Sequence, residues 1–241
     1  MRRMMVAMMM PLCGMLAGCV PFVGDNAIVG SGQMATREYP VEGFSAVAVD
    51  NAFAATLTRG ETFKVSVTTD DNLLEYVVMK KDGDMLRVSM QAGNGTSFRS
   101  KRMEATVTLP LRKAGRVGGA ARAFMSGFEP VPAFQASLSG ASRLQGPVQA
   151  GELTVEAGGA SHIELTGSAK MLRLGLDGAS RADLSGLAAE EGTINASGAS
   201  HAGVNVKTRL SYDLSGASRL NYTGQPIIAK AHTSGASSVN H

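Results

Sequence analysis

Residues 153–165 read Leu153-Thr154-Val155-Glu156-Ala157-Gly158-Gly159-Ala160-Ser161-His162-Ile163-Glu164-Leu165, two short alternating runs on either side of a Gly-Ala-Ser corner. Alternation of apolar and polar residues with period two is the mark of a half-buried strand. The corner recurs. Gly-Ala-Ser begins at Gly140, Gly159, Gly178, Gly198, Gly216 and Gly235, at spacings of 19, 19, 20, 18 and 19 residues. A weaker copy, Gly119-Ala120-Ala121, stands 21 residues before the first. A fixed period of this length marks a solenoid, in which no coil can bury its inner face alone and stacking buries a continuous column.

Aligning the copies on the corner Gly defines the columns. Leu138, Ala157, Leu176, Ala196, Leu214 and Thr233 stand two residues before it, and Ala136, Val155, Leu174, Ile194, Tyr212 and Ala231 four before. After the Ser, Leu144, Ile163, Ala182, Ala202 and Leu220 begin a second inward set. The fold class expected is all-β: a right-handed parallel β-helix with coils of about 19 residues, preceded by an irregular β-rich N-terminal part. An antiparallel meander or sandwich would need neither a constant period nor identical corners. Small corner residues suit a turn in which a larger side chain would meet its copies in neighbouring coils. The best helical candidate is the short stretch Leu187–Glu191.

Residues 37–111 carry four alternating runs, near Val47, Val65, Val88 and Val107, with turn signals at Arg59-Gly60, Asp82-Gly83 and Gly93-Asn94-Gly95. Asp70-Asp71-Asn72-Leu73-Leu74 reads as a loop or a single helical turn. The runs fit irregular coils of the same helix or a separate capping sheet. Four parts result: 1–18, 19–36, 37–111 and the coil repeats 112–241.

The first part begins Met1-Arg2-Arg3, continues through an uncharged apolar run and ends Leu16-Ala17-Gly18-Cys19. A basic start, an apolar run of this length and small residues at its end are a secretory signal rather than a membrane span. Leu-Ala-Gly-Cys resembles the bacterial lipobox, which implies a lipid on Cys19 and a membrane anchor through it. Residues 20–36, rich in Gly, Ser and Asn, read as a tether. Without the signal the 23 basic residues fall to 21 against 20 acidic, so the apparent net charge of +3 overstates how basic the rest is. No nucleic-acid partner is expected at such a balance. With Cys13 in the signal and Cys19 lipidated, neither of the two cysteines is left for a disulfide, a zinc site or a thiol nucleophile.

The ordered set Glu38, Phe44, Val47, Val49, Gly60, Val65, Val67, Asp70-Asp71-Asn72-Leu73-Leu74, Asp82-Gly83, Leu86 and Leu109-Pro110-Leu111, followed by the Gly-Ala-Ser coils, resembles the family of the putative auto-transporter adhesin, head GIN domain. The resemblance implies a β-helical, secreted or lipid-anchored protein of Gram-negative bacteria. Val20 rather than Asp after Cys19 makes the outer membrane the expected place of the anchor. The segment 109–134 departs from the pattern, being unusually basic at Arg112, Lys113, Arg116 and Arg122, and an irregular first coil is expected there.

The residue after each corner Ser is Arg143, His162, Arg181, His201, Arg219 or Ser238. Stacked coils would align the first five as a basic ladder, a contact stripe for an anionic glycan or an envelope protein. The alternative is a solvated edge neutralised by Glu164 and Asp183. Those two carboxylates would be neighbours on adjacent coils, the arrangement a glycosidase needs, which gives a second functional reading as a carbohydrate-active enzyme. A third is a structural or self-assembling spacer, with homo-oligomers formed through exposed strand edges. The corner serines lack a nucleophile-elbow context, and a ladder bonding backbone groups suits them better. His162, His201, His232 and His241 lack metal-ligand spacing. No catalytic residue, metal site or cofactor is expected, and binding is the first reading.

Overall fold

The computed structural model describes residues 27–93, 96–110, 114–127 and 130–241. The expected signal, the lipobox and Cys19 lie outside the described residues, as do Arg112 and Lys113. The described chain is nearly all β, in strands that stack in parallel along one axis. Among the described residues no helix is long and apolar enough to cross a membrane.

The repeat region forms the regular part of the stack. Four long bent strands, Arg143–Ala157, His162–Leu176, Arg181–Ala196 and His201–Leu214, each pass around one coil from corner to corner. Each pairs in parallel with the next, so that Leu144 meets Ile163, Ile163 meets Ala182, and Ala182 meets Ala202. Corner-to-corner matching is therefore the register that the period implies. Inward residues of both segments are buried: Leu153, Leu172 and Leu210 on one side, Leu144, Ile163 and Leu220 on the other. Leu187–Glu191, a run of good helix formers, is strand, its Ala188 and Ala189 paired with Ser168 and Ala169. Ladder pairing on both edges overrides intrinsic propensity here.

The corner is held by three sets of contacts. Its Gly has φ between +70° and +77° in every Gly-Ala-Ser copy. The amide after it bonds the Gly carbonyl of the preceding coil, as Ala179 N–H does to Gly159 O at 2.7 Å. The Ser side chain is buried and turns back on its own corner, Ser180 Oγ donating to Asp177 O at 2.8 Å and Ser161 Oγ to Gly158 O at 2.7 Å. Ser180→Ala removes that buried donor and its bond to Asp177 O, at a cost of about 1 kcal/mol. A melting temperature lowered by roughly 2–4 °C in thermal unfolding is the expected reading. An unchanged value would mean that the backbone ladder alone holds the corner.

The front half continues the same stack, in an order the chain does not follow. Strand β1 (Ala46–Val49) and strand β2 (Ala54–Arg59) form a coil through a turn at Asn51, which takes φ +61°. On one side they pair in parallel with β3 (Met85–Met90) and β4 (Glu104–Leu109). On the other side they pair in parallel with β5 (Ala114–Val117) and β6 (Arg122–Ser126). The chain thus lays down the middle coil first, goes out to the end, and returns past it. Beyond β3 and β4 the pairing turns antiparallel: Val77–Asp82 lies on β3, Lys64–Asp70 on β4, and Met34–Glu38 on Lys64–Asp70. These antiparallel strands cover the N-terminal end, and a 3-10 turn at Asp71–Tyr76 buries Leu73 and Leu74 beneath it. The expected irregularity at 109–134 is absent from β5 and β6, which keep corner-to-corner register with the coil that follows. One hydrophobic cluster runs from Phe44 to Leu220.

At the other end Ile227–Thr233 pairs, among the described residues, with His201–Leu214 alone, and its inward positions Ala231 and Thr233 are exposed. Ile227 is 77% exposed.

Candidate functional site

Strand register fixes the site. Arg143, His162, Arg181, His201, Arg219 and Ser238 are successive Cα partners, and each lies one residue past the corner Ser, which is buried in all but the last. Since the Ser points in, period two turns the next side chain out. The sequence reading missed one rung. Arg122 pairs with Arg143 and with Ala54, so the column starts one coil earlier. The signal was present in Gly119-Ala120-Ala121-Arg122, where Ala replaces the corner Ser and the cation still follows.

Neighbouring rungs lie about 4.8 Å apart, so Arg143, Arg181 and Arg219 are spaced by about 10 Å, close to the screening length of ~0.1 M salt. The half-buried His162 and His201 fill the intervals. Burial, together with the cation of Arg143 and, less strongly, that of Arg181, holds His162 below the ordinary imidazole range, against the opposing pull of Glu164 and Asp183. At neutral pH His162 is therefore largely uncharged, and the repulsion along the column is moderated by spacing.

The neighbouring carboxylates do not neutralise the arginines by contact. Glu164 accepts a hydrogen bond from Gln145 Nε2 at 2.6 Å, and Asp183 accepts one from Ser185 Oγ at 2.6 Å and one from Ser185 N at 3.2 Å. Ion pairs among the described residues lie elsewhere, as between Arg173 and Glu152 at 2.7 Å. Arg219 donates to Ser238 Oγ at 3.4 Å. From Arg143 on, the column alternates exposed arginines with half-buried imidazoles, and the nearby carboxylates Glu164 and Asp183 are bonded to Gln145 and Ser185.

Glu164 and Asp183 are register partners, as the repeat implies. A glycosidase needs one carboxyl held protonated at neutral pH. Asp183 is shifted the opposite way, its carboxyl lowered first by the Ser185 hydroxyl and then by the Ser185 amide. It serves as an acceptor, not as a proton donor. Among the described residues no group of three or more His, Cys, Asp or Glu is placed to hold a metal.

An all-β parallel solenoid with a Gly-Ala-Ser corner in each regular coil and a row of outward side chains beside it defines the class of protein: a repeat scaffold that presents an extended face. The chain belongs to the family described as "Putative auto-transporter adhesin, head GIN domain", whose model matches residues 43–226. Solved structures repeat the fold. A putative adhesin from Bacteroides fragilis superposes with a TM-score of 0.79 at 17% identity, over 88% of this chain and 99% of that one. A putative lipid binding protein from Parabacteroides distasonis does so with 0.74 at 18%, over 89% and 98%. A putative adhesin from Parabacteroides merdae does so with 0.71 at 16%, over 89% and 98%. At such identities the likeness is one of fold. No curated protein sequence matches the chain.

Proposed function

We propose that this protein is a lipid-anchored component of the bacterial cell envelope, held to the outer membrane through Cys19, which binds an anionic envelope polymer along the outward face of its coils. The observation that carries this reading is the unbroken column Arg122, Arg143, His162, Arg181, His201, Arg219, whose arginines are exposed and, among the described residues, form no ion pair with a carboxylate. Arginines that recur along one edge, from Arg143 on at every second coil, suit a ligand whose charges also repeat along a line. The family and its solved structural neighbours are described as putative adhesins or, in one case, as a putative lipid binding protein, which supports a binding role without specifying a ligand. The test is a binding screen of residues 27–241 against anionic and neutral polysaccharides at two salt concentrations. Binding of anionic polymers that weakens at the higher salt is expected. Equal binding of neutral polymers, or salt-insensitive binding, would overturn the reading.

Protonation of His162 adds a charge to the column. Because its folded-state titration lies below the ordinary range, the charge arrives as the pH falls below about 6.5. An anion lying on the rung favours the protonated form, so binding takes up a proton and strengthens on acidification. Affinity for a polyanion is expected to rise roughly fivefold between pH 7.5 and pH 5, about 1 kcal/mol for one more charge about 4 Å away across a water-like medium. His162→Gln should remove part of that gain while leaving the affinity at pH 7.5 unchanged. A pH profile unaltered by the substitution would exclude His162 from the contact.

A further inference from the structure

The outward column two residues past the ladder carries Gln145, Glu164, Asp183, Gly203, Asn221 and Asn240 as successive partners. Gly203 is the one rung of this row without a side chain. Its backbone is not left-handed, and a Cβ built there meets only Asp183 Oδ1 at 3.8 Å and Ala182 O at 3.9 Å. Neither conformation nor crowding requires glycine at this rung. The missing side chain opens a depression of about 310 Å³ in the outer face, walled by Asp183 and Ser185 below, Asn221 above, and the ladder residues His162, Arg181 and His201 along one side.

Two kinds of group meet in this notch. The imidazoles and the guanidinium offer donors and positive charge. Asp183, kept ionised by its Ser185 bonds, and the carboxamide of Asn221 offer hydrogen-bonding partners for hydroxyls. A bare polyphosphate or polysulfate gains from the first group and is repelled by Asp183. A sugar acid uses both: its carboxylate takes the cations, and its hydroxyls donate to Asp183 and Asn221. Its size also matches a recess one side chain deep and about two coils long.

We propose that the notch at Gly203 is a subsite for one acidic sugar unit of a uronate-type glycan, seated with its carboxylate toward Arg181 and His201 and its hydroxyls toward Asp183 and Asn221. The inference rests on the anion-binding reading of the ladder and narrows it from polyanions at large to carboxylated, hydroxylated ones.

The test uses residues 27–241 with Gly203→Asn, which copies the next rung and fills the notch, and with Asp183→Asn, which removes the charge but keeps the shape. The probes are a homopolymer of galacturonic acid, inorganic polyphosphate and neutral dextran, titrated at one low salt concentration, with melting temperature as the check on folding. The expected result is tighter binding of the polyuronate than of polyphosphate by the parent protein. Gly203→Asn weakens the polyuronate at least tenfold and leaves polyphosphate unchanged. Asp183→Asn weakens the polyuronate and strengthens polyphosphate severalfold. If both polymers bind the parent and neither variant changes their order, the ladder reading stands and the sugar-acid subsite is overturned. If no anionic polymer binds the parent, both are overturned together.

Discussion

Replacing Gly178 by Ala is expected to lower the melting temperature of this domain by roughly 6–12 °C, or to prevent its recovery as folded protein. Gly178 takes φ +74° at a corner in the middle of the stack. An L side chain in that conformation costs about 1–2 kcal/mol. Space adds a second penalty, because the new Cβ would stand 2.7 Å from Gly159 O in the coil before. That oxygen is the acceptor for Ala179 N–H at 2.7 Å, so relieving the clash weakens the bond that stacks the two corners, at about 1 kcal/mol more. The sum is about 3 kcal/mol, and each kcal/mol lowers the melting temperature by about 2–4 °C in a domain of this size. Gly175→Ala three residues earlier is the control. Gly175 lies in a strand without positive φ, and its nearest neighbour for a Cβ is Glu156 Cγ at 3.8 Å. Filling it should leave stability unchanged or raise it by roughly 0.5 kcal/mol, since glycine weakens a strand interior. If Gly178→Ala unfolds no earlier than Gly175→Ala in thermal denaturation, the corner is not the close-packed element described here.

The same corner explains which parts of the molecule were legible in the sequence. Identical corners pin the register, so each column could be written down by counting from Gly-Ala-Ser, and the buried and exposed rows follow. Coils of unequal length do not disturb this. The 20-residue and 18-residue spacings on either side of Gly198 are absorbed by register shifts on the far side, between Leu184 and Ala188 and between Ala189 and Glu191, while Arg181 still meets His201. The front half offers no such reference. Its strands alternate as clearly as the others, but alternation says which face of a strand is buried and nothing of which strand lies beside it. That β1 and β2 sit between coils formed later in the chain follows from long-range pairing that no local pattern encodes. The notch was hidden for a related reason. Gly203 is an ordinary glycine in a list of residues and becomes a gap only when Asp183 and Asn221 are placed above and below it.

Reversing three rungs of the ladder, Arg143, Arg181 and Arg219 to Glu, is expected to weaken polyanion binding at least 100-fold at low salt. Each charge-assisted contact with an anion is worth roughly 1.5–3 kcal/mol, so losing two of three already exceeds the ~2.7 kcal/mol that a 100-fold change represents. Reversal goes further than neutralisation, because three carboxylates two coils apart along one edge repel an anionic ligand laid on it. Stability should change little. All three side chains are exposed, none is ion-paired with a carboxylate, and exposed substitutions of this kind usually stay within ±0.5 kcal/mol each. Bulk charge alone would give a similar trend, so the comparison must hold it fixed. Lys170, Lys207 and Arg209 are exposed away from the ladder. Their change to Glu alters the net charge by the same amount and should cost no more than a few-fold, removable by salt. Two results separate the readings. Loss confined to the ladder variant, with both proteins melting near the parent, makes the column the binding face. Equal loss in both would mean that the protein attracts polyanions only through its net charge, and the alignment of cations would then be a consequence of repetition rather than a site.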